Sequence, residues 1–345
     1  VILKQYGQRN TVNERVSGHG HRPTTERETT MDTMTALRAH TRGGPEQLVV
    51  EAAPVPRPGQ GEALVAIHAA AITFTELRWD VSWTTRDGTD RTPVIPSHEF
   101  AGTVAELGPG VHGVRIGEPV YGLIDFDRDG AAATYTTVPA TQLAHMPRSV
   151  SYVDAAALPL AALTAWQALV DHAELQAGET LLVHGGAGGV GVYGVQLGRI
   201  LGATVIATGR GEDGNFVRNL GASRFIDVST EAFDQTIHDV DVVFDTVGGS
   251  TLDRSYGVLH AGGRLVTVVA PPSKELAAAH GVKAVFFIVR PDRDELDRLA
   301  GYVDAAQLEP VVARTFPLAE GRSAYESASL PRRPGKTVIL VDVDR

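Results

Sequence analysis

The chain contains no cysteine. Disulfides, thiolate catalysis and cysteine-ligated zinc are thereby excluded. Lysine is scarce: only Lys4, Lys274, Lys283 and Lys336 occur, so arginine carries nearly all positive charge. We read that as a coding bias. Cations of both kinds are outnumbered, 31 against 41 acidic residues, for a formal net charge of −10. That balance disfavours a nucleic acid or an anionic membrane as partner, and no basic stripe interrupts it. Unbroken apolar runs are short; residues 284–289 are among the longest and fall far below a bilayer span. The N-terminus lacks an apolar h-region, which makes the cytoplasm the expected compartment. Apolar residues, by contrast, are plentiful at 43% of 345 residues, enough for one large or two medium domains with real cores.

The most informative stretch is residues 180–210. A short apolar strand (residues 180–184) runs into Gly186-Ala187-Gly188-Gly189-Val190-Gly191. A small-residue helix over residues 190–201 and a second apolar strand over residues 204–208 follow. This is the context a G-x-G-x-x-G needs to signify a dinucleotide site. Gly186 allows the tight turn out of the strand, and Gly188 lets the backbone approach a pyrophosphate. Gly191 lets the helix pack close to the sheet. The helix N-terminus then offers unpaired N–H groups and a positive dipole end to phosphates.

Residues 1–33 are polar and aperiodic and read as a disordered leader. The leader holds Gly18-His19-Gly20-His21, a pair that a metal could use, although the composition favours disorder. Met31 or Met34 offers an internal start. From residue 35 to about 150, short β-like runs (63–71, 102–107, 119–123, 135–138) are broken by Gly and Pro. Residues 154–172 read as helical. Strands at 180–184, 204–208, 225–228, 240–245, 264–269 and 284–289 then alternate with helices or short loops. That alternation predicts an open parallel sheet. The tail, residues 291–345, holds two helical stretches and a strand over residues 337–341, and is expected to return to the first domain.

These residues carry a family resemblance. Gly43-Gly44-Pro45-Glu46, Pro54-Val55-Pro56-Arg57-Pro58-Gly59 and Glu106-Leu107-Gly108-Pro109-Gly110-Val111 belong to it. So do the 155–166 helix, the glycine loop, the 242–249 run, Gly262-Gly263-Arg264-Leu265 and Gly335-Lys336-Thr337-Val338. Over about residues 37–341 the chain resembles the medium-chain dehydrogenase/reductases, in particular their zinc-independent quinone oxidoreductase group. The resemblance implies an α/β protein: a GroES-like β-rich catalytic domain (residues 34–159 and 291–345) and a Rossmann-type doubly wound parallel sheet (residues 160–290), with the active site between them. It also implies a homodimer, paired through the edge strand at 284–289.

In this fold the end of the second strand meets the adenosine ribose; an acidic residue there favours NAD, an Arg a 2′-phosphate. Thr208-Gly209-Arg210 therefore predicts NADP(H), with Arg210 supplying a charge-assisted fork and Thr208 a small hydrogen-bonding neighbour. Glu212 and Asp213 dilute this inference, and Arg218 is a second cationic candidate. By the resemblance, Thr164 faces the nicotinamide side, with a bond to its own helix backbone as the alternative. Gly189 and Val190 complete the phosphate loop, and Val247, Gly248 and Val269-Ala270 lie under the cofactor. Val228 stands where a tyrosine often packs on the adenine.

Zinc-dependent members of the superfamily bind catalytic metal through Cys, His and Cys. Here Ser97-His98-Glu99 keeps the His, Thr73 replaces the first cysteine, and Leu160 or Ala161 falls near the other. A lone His with weak oxygens is a poor zinc site, so no metal is expected. Without a Lewis acid, an electron-poor quinone or α,β-unsaturated carbonyl is the acceptor expected. Thr73, Thr75 and His98 are the candidate catalytic residues. Turn capping is the structural alternative for each threonine, and pairing with Glu99 or backbone for His98. Trp79 and Trp83, in the 78–85 insertion, suggest aromatic walls for a flat acceptor, with surface packing as the alternative. Two other functions fit the same motifs: an alcohol or aldehyde dehydrogenase using His98, and a non-catalytic NADPH-binding protein.

Overall fold

The computed structural model describes residues 33–85 and 87–341. Apart from Thr33, the expected leader lies outside them, and with it the His19/His21 pair and Met31.

The first third of the chain is β-structure cut into short lengths by Gly and Pro. Strands β1 (Thr33–Ala39) and β2 (Leu48–Pro54) form an antiparallel pair. β3 (Glu62–Ile72), β4 (Glu99–Leu107), β5 (Pro119–Leu123), β6 (Tyr135–Pro139) and β7 (Ala144–His145) build a larger antiparallel sheet. β3 is its spine, pairing with both β4 and β6 and buried along almost its whole length.

The second sheet comprises β8 (Thr180–His184), β9 (Thr204–Gly209), β10 (Arg224–Asp227), β11 (Val240–Asp245), β12 (Leu259–Thr267) and β13 (Lys283–Phe286). Its order is β10-β9-β8-β11-β12-β13 and every pairing is parallel. The side-chain period of two explains why both faces are covered. Leu181, Val183, Val205, Ala207, Val242, Phe244 and Val266 enter one core; Leu182, Ile206, Ile226, Val243 and Leu265 enter another on the opposite face. Strands buried on both sides read as continuous apolar runs, and each fully buried Leu or Ile contributes about 1.5–3 kcal/mol. The chain reverses direction across the sheet between β8 and β11, the place where open α/β sheets bind ligands beyond their carboxyl ends.

The tail returns as expected. β14 (Val312–Pro317) runs parallel to β15 (Lys336–Leu340), and β15 pairs antiparallel with β3, placing Thr337 opposite Ile72. The buried helices Tyr152–Ala156 and Pro159–Trp166 share one core with residues of both sheets. The strand expected over 284–289 is shorter than foreseen. Pairing stops at Phe286 because Phe287 and Val289 turn inward to the core, leaving Ile288 exposed. Among the described residues no helix is long and apolar enough to cross a membrane.

Candidate active site

The glycine loop leaves β8 through Gly185, whose φ of 76° lies in the left-handed region. Gly186 and Gly191 serve packing: a Cβ on Gly186 would lie 2.9 Å from Ala207 Cβ, and one on Gly191 only 2.0 Å from the Gly185 carbonyl oxygen. Gly188 is different. A Cβ there would meet the tip of Arg332, at 3.0 Å from its guanidinium. The helix Gly191–Ile200 begins here, and among the described residues the amides of Gly189, Val190 and Gly191 have no backbone or side-chain acceptor. Three consecutive free N–H groups, a helix dipole and a guanidinium make an anion cradle. A dinucleotide's diphosphate fits it.

Arg210 follows β9 and is exposed, and Asp213 lies within electrostatic reach of both Arg332 and Arg210. Neither arginine forms an ion pair among the described residues. Arg218 lies over the Phe225 ring at 5.6 Å. At the carboxyl ends of β11 and β12, Val247 and Val269 are exposed to 50% and 46%. A buried carboxylate puts them there. Asp245 accepts from the amides of Val247 (3.1 Å) and Gly248 (3.0 Å) and from Thr267 Oγ1 (2.8 Å). Gly248 takes a φ of 74° in that turn, against Val269. Large apolar groups left open beside an anion cradle suit the rings of a nucleotide. Val228, just after β10, is exposed to 54%.

Two assigned hydroxyls turn out to be engaged. Thr164 Oγ1 donates to the Leu160 carbonyl at 2.6 Å, the bond to its own helix. Thr208 is buried and bonded to His184 Nδ1 at 3.0 Å. The direction follows from the chain of donors. Ser255 Oγ donates to the Thr251 carbonyl (2.7 Å), so His184 Nε2 donates to Ser255 (3.0 Å) and Nδ1 accepts from Thr208. Thr208 thus ties the loop to the sheet rather than holding its hydroxyl proton for a ribose. Burial pulls His184 down to about 4, so it is neutral at physiological pH; attraction to Asp245 and repulsion from Arg254 are smaller effects.

At the end of β3 the chain turns through Thr73, Phe74 and Thr75 into the 3₁₀ turn Glu76–Arg78. Glu76 is almost wholly buried and every oxygen is used. Oε1 accepts from the Thr73 amide (3.1 Å) and the Tyr325 hydroxyl (2.5 Å); Oε2 accepts from the Ser97 amide (2.9 Å) and His98 Nδ1 (3.1 Å). Burial pushes this carboxyl up, but the hydrogen bonds from His98, Tyr325 and Thr73 outweigh it and leave it below the usual range. Ser97, held at a φ of 71° by Oγ donation to the Ala71 carbonyl (2.7 Å), aims the following histidine. Of the structural alternatives, pairing of His98 with Glu99 is not what forms: His98 pairs with Glu76, and among the described residues its buried Nε2 has no partner. Phe126 packs edge-on to His98 and to Trp79, both at 5.3 Å between ring centres. Trp83 is no cleft wall. It is buried in the β-rich core and its Nε1 donates to the Leu77 carbonyl at 2.9 Å.

Glu99 pairs instead with Lys336, whose Nζ is 2.6 Å from Oε1. The other carboxylate oxygen accepts from the Leu160 amide at 2.9 Å. Burial raises the Glu99 carboxyl above its ordinary range, a rise only partly offset by the Lys336 charge. The same Nζ donates to Thr73 Oγ1 at 3.2 Å, and its stem runs beside Gly189. Thr73, Lys336 and the glycine loop are thus brought together, and neither threonine hydroxyl caps the local turn. Thr75 stays exposed with its hydroxyl free among the described residues. Reasoning from sequence missed Glu76, Tyr325, Lys336, Arg332 and Phe126. Lys336 carried a usable signal, as one of four lysines in an arginine-rich chain.

Comparison with known proteins agrees with this architecture. The alcohol dehydrogenase GroES-like domain matches residues 59–148, and the zinc-binding dehydrogenase family matches residues 220–339. A probable zinc-binding oxidoreductase of Arthroderma benhamiae is 31% identical over 85% of this chain and 93% of its own length. An NADPH-dependent alkenal/one oxidoreductase of Arabidopsis thaliana is 31% identical over 83% of this chain and 73% of its own. The structure of a quinone oxidoreductase from Coxiella burnetii superposes with a TM-score of 0.83 at 30% identity, covering 90% of this chain and all of that one. A β-rich sheet that reclaims the chain's tail, a parallel sheet of order 3-2-1-4-5-6 and a phosphate-ready glycine loop converge with these matches: the chain belongs to the medium-chain dehydrogenase/reductase superfamily of oxidoreductases.

Proposed function

We propose that this protein is an NADPH-dependent, zinc-independent reductase acting on a quinone or an α,β-unsaturated carbonyl. The Lys336 ammonium carries the reading: it lies against Thr73, at the position where zinc-dependent relatives place a cysteine. A cation there repels a metal ion, no thiolate exists to compensate, and the carboxylates of Glu76 and Glu99 are already engaged, which leaves His98. Zinc does not fit this donor set. Bound NADPH would supply a hydride. The chain's own residues have simpler tasks: the free amides of Gly189, Val190 and Gly191 with Arg332 hold the diphosphate, and Arg210 meets the 2′-phosphate. Val247 and Val269 cover the rings and exclude water. Thr73 and Thr75 face the oxygen that gains charge as the acceptor is reduced, His98, tied to Glu76 through Nδ1, is the third candidate residue at this end of the site, and Phe126 with Trp79 offers aromatic surface to a flat acceptor. The NADPH-dependent alkenal/one oxidoreductase and the quinone oxidoreductase named above support the substrate class. In this reading residues 34–159 and 291–345 form the catalytic domain and residues 160–290 the nucleotide domain.

The test is a panel of quinones, enones, ketones and alcohols assayed with purified protein, NADPH or NADP⁺, and elemental analysis. Turnover of quinones or enones with less than about a tenth of an equivalent of zinc is the outcome expected. Stoichiometric zinc with alcohol oxidation, or saturable NADPH binding with no turnover at all, would replace this reading with one of its two competitors.

A further inference from the structure

Lys336 is buried to all but 6% of its surface, in a chain that uses 27 arginines and four lysines. β15 pairs with β3 as far as Thr337 opposite Ile72, and Lys336 and Thr73 are the next residues beyond that pair. Two contacts fix the ammonium, Glu99 Oε1 at 2.6 Å and Thr73 Oγ1 at 3.2 Å, and the stem runs along the edge of the glycine loop. Glu99 is itself pinned by the Leu160 amide, and the Thr73 backbone by Glu76. The hydroxyl rotor is the one freedom left at Thr73.

An ammonium has donors and no acceptor, so Thr73 Oγ1 must accept from it. The single hydroxyl proton is then turned away from Nζ, and among the described residues it has no partner. We propose that Lys336 is a positioning residue for the reduction: it locks and polarises the Thr73 hydroxyl so that Thr73 donates to the acceptor's oxygen. This rests on the reductase reading above. A hydroxyl whose oxygen is bound to a cation is the stronger donor, because successive hydrogen bonds polarise one another. Lys336 is buried and Thr73 half-exposed, so the charge reaches the acceptor through the threonine. Losing one donor to a developing oxyanion lowers kcat by about 10²–10³ in a well-studied protease.

The experiment is a double-mutant cycle with Thr73→Val, Lys336→Met and both together, plus Thr73→Ser as the variant that keeps the hydroxyl. Enone turnover is measured, NADPH Kd is followed by fluorescence, and binding of 4-nitrophenolate to the NADP⁺ complex is read by absorbance. That phenolate mimics the reduced oxygen without turnover. Each single change to Val or Met should lower kcat about a hundredfold and weaken phenolate binding about tenfold, with the double variant no worse than either. Thr73→Ser should stay within a few-fold of wild type, and Thr73→Val should leave NADPH Kd within about twofold. Should Lys336→Met fail to fold with Glu99 left unpaired, Glu99→Gln/Lys336→Met leaves no buried charge and takes its place. Losses that multiply in the double variant, or a Lys336→Met enzyme within twofold of wild type, overturn the proposal. A wild type that reduces nothing yet shows the coupled loss of phenolate binding sinks the reductase reading alone. One that neither reduces nor binds the phenolate sinks both.

Discussion

Gly188→Ala separates the glycine that serves a ligand from those that serve the fold. The new Cβ would lie 3.0 Å from the Arg332 guanidinium and 3.1 Å from the Gly185 carbonyl oxygen. Arg332 is exposed, so its tip swings aside at a cost of about 0.5 kcal/mol or less. The carbonyl has only a few tenths of an ångström to yield. Apo stability should therefore barely change. With NADPH the account reverses. The methyl group occupies the cradle and displaces a cation from the phosphate, forfeiting a charge-assisted bond worth about 1.5–3 kcal/mol. NADPH Kd should rise by about tenfold to a hundredfold. Gly191→Ala is the contrast, because its Cβ would fall 2.0 Å from a backbone oxygen. Overpacking against backbone costs about 1–3 kcal/mol or more, so that variant should lose apo stability first. Fluorescence titration and thermal unfolding of both apo proteins supply the readings. A Gly188→Ala protein that binds NADPH within twofold of wild type would refute the assignment of this loop to the diphosphate.

Arg210→Ala should weaken NADPH by about tenfold while leaving NADH within twofold, since one guanidinium–phosphate contact is lost; tighter NADH binding by the wild type would overturn the 2′-phosphate assignment. His184 predicts a pH dependence of stability. Its pKa falls from 6.5 to about 4 on folding, so the unfolded chain binds the extra proton and stability declines as pH drops from about 6.5 to 4. The total is about 3 kcal/mol, and His184→Gln should flatten that slope in denaturant titrations; an unchanged slope contradicts the neutral buried state. A homodimer formed by joining β13 edges should appear in light scattering, and Ile288→Asp, at a site 70% exposed, should yield monomers. A monomeric wild type rejects that arrangement.

The parallel sheet was legible because strands covered on both faces leave unbroken apolar runs, and the glycine loop because all its parts are local. The extent of β12 was less legible: Leu259 pairs with Val240 across a register shift, so the strand begins five residues before the apolar run at 264. The catalytic side was the harder part. The Tyr325–Glu76 bond spans 249 residues and the Lys336–Thr73 bond 263, distances at which no spacing rule operates. The partner of His98 was not legible, because Glu99 is adjacent in sequence whereas the left-handed Ser97 turns the histidine toward Glu76. Trp83 misled for the opposite reason. Two nearby tryptophans look like one surface, yet a single helical turn over Asp80–Trp83 sends the second inward.

The return of the tail to the first sheet has a consequence for biosynthesis. As the chain emerges, β3 to β7 are complete long before the strand that must lie beside β3 exists. The parallel sheet, by contrast, has all its strands in hand as soon as residue 286 is out. Until β15 emerges, the earlier half therefore keeps one edge of β3, at residues 69–72, without its partner strand and Glu99 without its counter-ion. Nascent chains stalled before β15 should be the ones that chaperones hold longest.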